Sequence, residues 1–144
     1  MGSVGRRASD AGLRGLTRIL LDTHAWAWSL SASERLSPGA RAAISEADIR
    51  YVSPISLYEV GQKTRLRRWP EMQPLVPRLV EIASEQGNAI ARLDADICLA
   101  AATLDWPHRD PIDRIIAATC LAESLALVSA DAAFDGLGRL ARVW

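Results

Sequence analysis

Four acidic residues, Asp22, Glu59, Asp113 and Asp131, stand at positions where their carboxylates could meet. Asp22 closes the short apolar run at residues 18–22 (RILLD), and Asp131 lies two residues past a second run at 125–129 (LALVS). Runs of this kind, between helical patterns, read as buried strands. Glu59 falls in a helical pattern at 55–66, where positions 55, 58, 59, 62 and 66 share one face. Ile55, Tyr58 and Leu66 make that face partly apolar, and a carboxylate buried there needs a cation or a hydrogen-bonding partner. Asp113 begins a helix face continued by Ile116, Ala117 and Cys120, which sets the acid near the strand tips. Singly, each acid has a structural explanation: Asp22 and Asp131 as helix caps, Asp113 as a first-turn acid favoured by the helix dipole, Glu59 as a surface residue. Jointly they have a chemical one. Two carboxylates ~4 Å apart repel by about 4 kcal/mol at an effective dielectric of ~20, so three or four together require protonation or a divalent cation. An oxygen-rich set suits Mg2+ or Mn2+, whereas zinc prefers nitrogen and sulfur.

Elements that bring such distant residues together are legible in the pattern. Strands are expected at 18–22, 50–53, 89–93, 125–129 and about 141–143. Helices are expected at 23–30, 38–47, 55–66, 75–85, 94–104 and 111–124, with a helical turn at 131–134. Ser37-Pro38, Ser53-Pro54 and Asp110-Pro111 are start signals, a capping side chain followed by a proline at the first helical position. Strands alternating with helices predict an α/β fold, a three-layer α/β/α sandwich on a mostly parallel sheet. Ligands of such sheets gather beyond the carboxyl ends of the strands, where Asp22 and Asp131 are expected.

Composition narrows the function classes. The chain has 144 residues, enough for one domain, and 49% of them are apolar, enough for a packed core. Seventeen basic residues balance seventeen acidic ones. That disfavours a domain gripping nucleic acid by bulk charge, but admits an enzyme whose acidic centre is offset by a basic rim. No apolar run reaches the ~18 residues of a membrane span. Cys98 and Cys120 lack metal-site spacing and read as two reduced core thiols. Residues 1–17 read as a flexible leader or a mis-assigned start, with an RNA-binding arm as the functional alternative, and 18–144 as the folded domain.

The segments LLDTHAWAW (20–28), SPISLYEVGQK (53–63), LDADICLAAATLDWPHRDPIDRIIAAT (93–119) and LVSADAAF (127–134), in this order, resemble the PIN-domain ribonucleases. Within that family the nearer likeness is to the toxin half of VapBC toxin–antitoxin systems. The acids lie 37, 54 and 18 residues apart, which fits the family layout. The resemblance implies that Asp22, Glu59, Asp113 and Asp131 form a catalytic, metal-binding quartet for Mg2+ or Mn2+, with Asp22 and Asp113 as the direct ligands. It further implies that Ser129 orients a water near the metal and that Thr23 and Asp110 are accessory, although helix capping explains both of these. A bound divalent ion polarises a phosphate and lowers the pKa of water, the requirement for hydrolysing a phosphodiester. The resemblance thus implies a cytoplasmic endoribonuclease acting on structured RNA, a homodimer, inhibited by a VapB-type antitoxin and independent of membranes.

Lys63, Arg65, Arg67 and Arg68 read either as a solvated helix end or as a track for an RNA backbone, and Arg109 and Arg114 flank the acid segment as further phosphate contacts. His24 and His108 could contact a phosphate or act as an acid, but with no His pair or base–nucleophile arrangement they are assigned to loop or packing roles, and Trp26 and Trp28 to core and subunit contacts. Two other readings remain open: a PIN nuclease that processes RNA without an antitoxin, and a phosphoaspartyl receiver or phosphatase. Against the phosphatase, LLDTHA lacks a second acid two residues after Asp22. No GxGxxG turn follows the first strand, which disfavours dinucleotide binding.

Overall fold

The structure, a computed structural model, describes residues 16–144, so the leader expected at 1–17 lies almost wholly outside the described residues. The chain runs β1 (Arg18–Leu21), α1 (Thr23–Ser31), a 3-10 turn (Ser33–Arg35), α2 (Pro38–Glu46), β2 (Ile49–Val52) and α3 (Pro54–Arg65). It continues through a 3-10 stretch (Pro70–Arg78), α4 (Leu79–Glu85), β3 (Ala89–Ile90), α5 (Ala95–Thr103), α6 (Pro111–Glu123), β4 (Ala126–Val128), a 3-10 turn (Ala132–Gly136) and β5 (Arg142–Val143). The starts of the helices follow local chemistry. Ser37, Ser53, Asp94 and Asp110 each accept a hydrogen bond from the first turn of the helix that follows. Proline follows three of them, at a position whose N–H has no intrahelical partner.

Two expected elements are shorter than the pattern suggests. The helix expected at 75–85 becomes α-helical only at Leu79, because Pro74 and Pro77 have no N–H to donate and the preceding turns are 3-10. The strand expected at 89–93 pairs only through Ile90.

The five strands lie in the order β3-β2-β1-β4-β5, every neighbouring pair parallel. Alternation along β1 divides the core. Ile19 and Leu21 pack on one face with Trp26, Val60 and Met72, whereas Leu20 packs on the other with Ile116, Ala117 and Phe134. Leu20 is fully buried, and burying a leucine is worth about 1.5–3 kcal/mol. Helices therefore cover both faces, the three-layer α/β/α arrangement. Ile97, Ala101 and Ala118 join α5 to α6 in a small separate cluster. With Ile97 facing inward, Cys98 is exposed; of the two thiols expected in the core only Cys120 is buried, and both are free.

From β1 the chain proceeds outward through β2 to β3, then returns to place β4 on the other side of β1. The direction of winding thus reverses between β1 and β4, and the crevice beyond their carboxyl ends is the topological switch point at which open α/β sheets bind ligands. A receiver domain has the order 2-1-3-4-5, so that alternative does not fit this sheet. Among the described residues no helix is long and apolar enough to cross a membrane.

Candidate active site

Asp22 is the first residue beyond β1. Its backbone N–H donates to the carbonyl of Val128 at 3.1 Å, and its Oδ1 accepts from the N–H of Ala25 at 2.8 Å, capping α1. The side chain is buried, and that burial pushes its carboxyl pKa upward; hydrogen bonds from Ser129 and Ala25 and the nearby His24 oppose the shift, while Glu59 adds to it. Ser129, beyond the tip of β4 and wholly buried, accepts from the backbone N–H of Asp131 at 3.0 Å, and its hydroxyl lies close enough to Asp22 to favour the ionised carboxylate. Thr23 has another task. Its Oγ1 meets Ser56 Oγ at 2.8 Å in the interior, fastening α1 to α3, and the cap belongs to Asp22.

The buried face of α3 differs from the stripe expected at 55, 58, 59, 62 and 66. Tyr58 and Leu66 are 59% and 44% exposed, and the residues turned inward are Ser56, Glu59 and Val60. The Thr23–Ser56 bond and the seating of Val60 in the core set this rotation, which buries Glu59 more deeply than its periodicity implies. One turn on, Lys63 pairs with Glu59, Nζ to Oε2 at 2.8 Å, while lying 5.5 Å over the ring of Trp69. Lys63 is therefore turned toward the acids instead of lying along a surface track. Arg65, Arg67 and Arg68 are exposed. Arg67 adopts a left-handed conformation (φ 59°), and the N–H of Arg68 returns to the carbonyl of Lys63, a helix-ending motif that splays these side chains.

On the other side of the crevice, Asp110 caps α6 through Ile112 N at 2.9 Å, and Asp113 follows in the first turn. His108 Nε2 lies 2.7 Å from Asp113 Oδ2. Its ring is stacked on Trp106 (centroids 4.6 Å apart, planes at 28°), which in turn packs against Phe134. His108, Asp113 and Asp131 each offer an atom within 4.8 Å of the other two. Burial, with smaller contributions from Asp110 and Glu59, outweighs the opposing bond to His108 and pushes the Asp113 carboxyl up to about 6. Arg114 is not available to a phosphate. Its guanidinium donates to the carbonyls of Ala101, Ala102, Leu104, Trp106 and His108, holding the loop between α5 and α6. Arg109 is exposed at the loop edge.

Glu59 acts electrostatically on both Asp22 and Asp113, so the acids from β1, α3 and α6 share one field; Asp131 joins it through Asp113 and Ser129. Carboxylates raised by their own burial, with only Glu59 given a lysine, match the donor chemistry and charge of a divalent cation. The contact of His108 with Asp113 is the feature that sequence reasoning missed. A usable signal was present: Trp106-Pro107-His108 directly precedes a capped helix with an acid in its first turn, and the cap at Asp110 folds the chain back on that turn.

Comparison with known proteins gives a consistent picture. The pattern of the family described as PIN domain matches residues 19–140. Ribonuclease VapC22 of Mycobacterium tuberculosis is 30% identical over 116 residues, 81% of this chain and 88% of that protein. Among solved structures, VapBC2 from Rickettsia felis bound to a DNA fragment from its promoter matches with a TM-score of 0.60 at 15% identity, covering 88% of this chain and 97% of that one. A toxin–antitoxin complex from Klebsiella pneumoniae matches with a TM-score of 0.57 at 17% identity, covering 85% and 94%. At these identities the structural likeness speaks to the fold.

Proposed function

This chain belongs to the PIN-domain family, and from the site it carries we propose that it is the ribonuclease toxin of a type II toxin–antitoxin pair, cleaving RNA phosphodiester bonds with Mg2+ or Mn2+. The observation that carries this reading is the set of donor atoms that His108, Asp113 and Asp131 offer within 4.8 Å of one another at the switch point of the sheet, with Glu59 acting electrostatically on both Asp113 and Asp22. A relative named as a ribonuclease supports the chemistry, and structural neighbours that are toxin–antitoxin complexes support a VapB-type antitoxin as partner.

Asp22, Glu59, Asp113 and Asp131 would hold the ion. When bound, it polarises a phosphate oxygen and makes water a stronger nucleophile at neutral pH. The chain's own groups prepare the site. Ser129 orients Asp22 and Asp131, and Lys63 balances part of the charge of Glu59. Asp110 acts as a helix cap. Arg65, Arg67, Arg68 and Arg109 are exposed, which supports a role for them as contacts to an RNA backbone. The protein acts as a homodimer in the cytoplasm, where its RNA substrate lies, and the antitoxin silences it by covering the acidic crevice.

Purified wild type is expected to cleave RNA in Mg2+ or Mn2+, to stop on chelation, and to fall silent as Asp22→Ala with its circular dichroism unchanged. Cleavage by Asp22→Ala at the wild-type rate overturns the site. Growth arrest on expression, relieved by a cognate antitoxin, separates a toxin from an RNA-processing nuclease of the same family.

A further inference from the structure

We propose that His108 is itself a ligand of the metal, making the site a mixed nitrogen–oxygen centre that selects Mn2+ over Mg2+; this rests on the nuclease reading above. Three observations carry it. The first is distance. Donor atoms around one ion at ~2.1 Å lie roughly 3–4 Å from each other. His108 Nε2, already 2.7 Å from Asp113 Oδ2, sits with a carboxylate oxygen of Asp131 inside a 4.8 Å set, so modest side-chain adjustment brings the three onto a common centre.

The second is rigidity. The imidazole lies flat against Trp106, which is itself buried and packed on Phe134. Arg114 holds the backbone carbonyls of both Trp106 and His108, at 2.7 and 2.8 Å. Ring and main chain are thus fixed independently, as a metal ligand requires. The third is donor chemistry. Mg2+ takes oxygen ligands, whereas an imidazole nitrogen raises affinity for first-row transition ions. An ion placed between Nε2 and Asp113 substitutes for the hydrogen that joins them.

The competing role for His108 is to orient Asp113 by hydrogen bonding alone, and the two roles differ in what they do to each ion. Pulsed EPR of the wild-type protein loaded with Mn2+ is expected to show nitrogen coupling that disappears in His108→Ala and survives in His24→Ala. Calorimetric titration with each ion is expected to show Mn2+ binding weakened by about tenfold or more in His108→Ala, while Mg2+ affinity changes far less, so that selectivity falls. Mn2+ bound without nitrogen coupling, or equal losses for both ions, overturns the ligand assignment and leaves the nuclease reading intact. Nitrogen coupling from His108 in a protein that cleaves no RNA does the reverse. Failure of the wild type to bind either ion overturns both.

Discussion

Asp94 and Asp135 are each paired with an arginine, while Asp22 and Asp113, near the strand tips, are paired with none among the described residues. In the arginine pairs, Asp94 is pulled below the usual carboxylate range by the N–H of Ile97 and then by Arg92, and Asp135 by the Arg142 guanidinium at 2.8 Å. At the tips, burial drives Asp22 and Asp113 the other way. The arginine next to Asp113 in sequence, Arg114, turns from it to bind carbonyls. The same side chain is thus paired with a guanidinium in one region and, in the other, enclosed with hydrogen bonds but no arginine. Leaving a buried carboxylate unmatched costs stability, so the tips are built for a ligand that supplies positive charge only on binding.

The largest effect that sharpens this contrast is on catalysis. Asp113→Ala and Asp22→Ala are expected to reduce metal-dependent RNA cleavage by roughly a thousandfold or more, the several kcal/mol that a bound ion supplies, whereas Asp94→Ala and Asp135→Ala stay near wild type. Comparable losses from substitutions of the paired and the tip acids, in proteins with matched folded fractions, would break the comparison.

Next is Arg114, whose proximity to Asp113 invites an electrostatic role that its contacts do not support. Arg114→Met leaves several carbonyls of the α5–α6 loop without donors and is expected to cost about 3 kcal/mol in denaturant unfolding. If Arg114 instead compensated Asp113, the cost would shrink in an Asp113→Asn background. Additivity of the two substitutions is the expected result.

Asp113→Asn tests the raised carboxyl directly. The folded state holds this proton up to about pH 6, against 3.8 ordinarily, so the wild type loses stability as pH rises from about 4 to 6 and keeps that deficit above. In the absence of metal, Asp113→Asn is expected to be more stable than wild type at pH 8, by less than the full shift because the group is partly open to solvent, and no different below pH 4. A thermal melt series across that range checks it. The same carboxylate must be ionised to bind metal, so ion affinity is expected to rise through pH 6 as stability falls.

How much of this was legible in sequence follows the range of the interactions. Caps act over three residues, so Ser37, Ser53, Asp94 and Asp110 announce their helices directly. Apolar runs at the two central strands place Asp22 and Asp131 beyond the sheet, because burial on both faces leaves a continuous hydrophobic signal. The rotation of α3 was not legible. It depends on Thr23 meeting Ser56, a contact between residues 33 apart that hydrophobicity does not encode, whereas the pairing of Lys63 with Glu59 spans one helical turn and was open to the spacing rule. Arg114 was misread, and the contact of His108 with Asp113 went unseen, for a related reason: both depend on a loop whose shape is set by hydrogen bonds to carbonyls, which every residue type presents alike.

The smallest effect is on the Asp135–Arg142 pair, and its sign matters more than its size. Asp135 is exposed, and its pairing with Arg142 is open to solvent. Its folded carboxyl is depressed, so the pair stabilises above about pH 4, and that contribution disappears as the pH falls through the folded value. Asp135→Asn is therefore expected to lower the melting midpoint slightly at pH 8, to leave it unchanged near pH 2, and to lose even the small effect in high salt. Asp113→Asn moves the midpoint upward over the same pH range. Opposite signs at pH 8, converging on zero in acid, are the thermodynamic mark of one acid paired with an arginine and another enclosed without one. If both substitutions destabilise at pH 8, the tip carboxylates are as well matched as the arginine-paired ones, and the physical reason for expecting an ion there is gone.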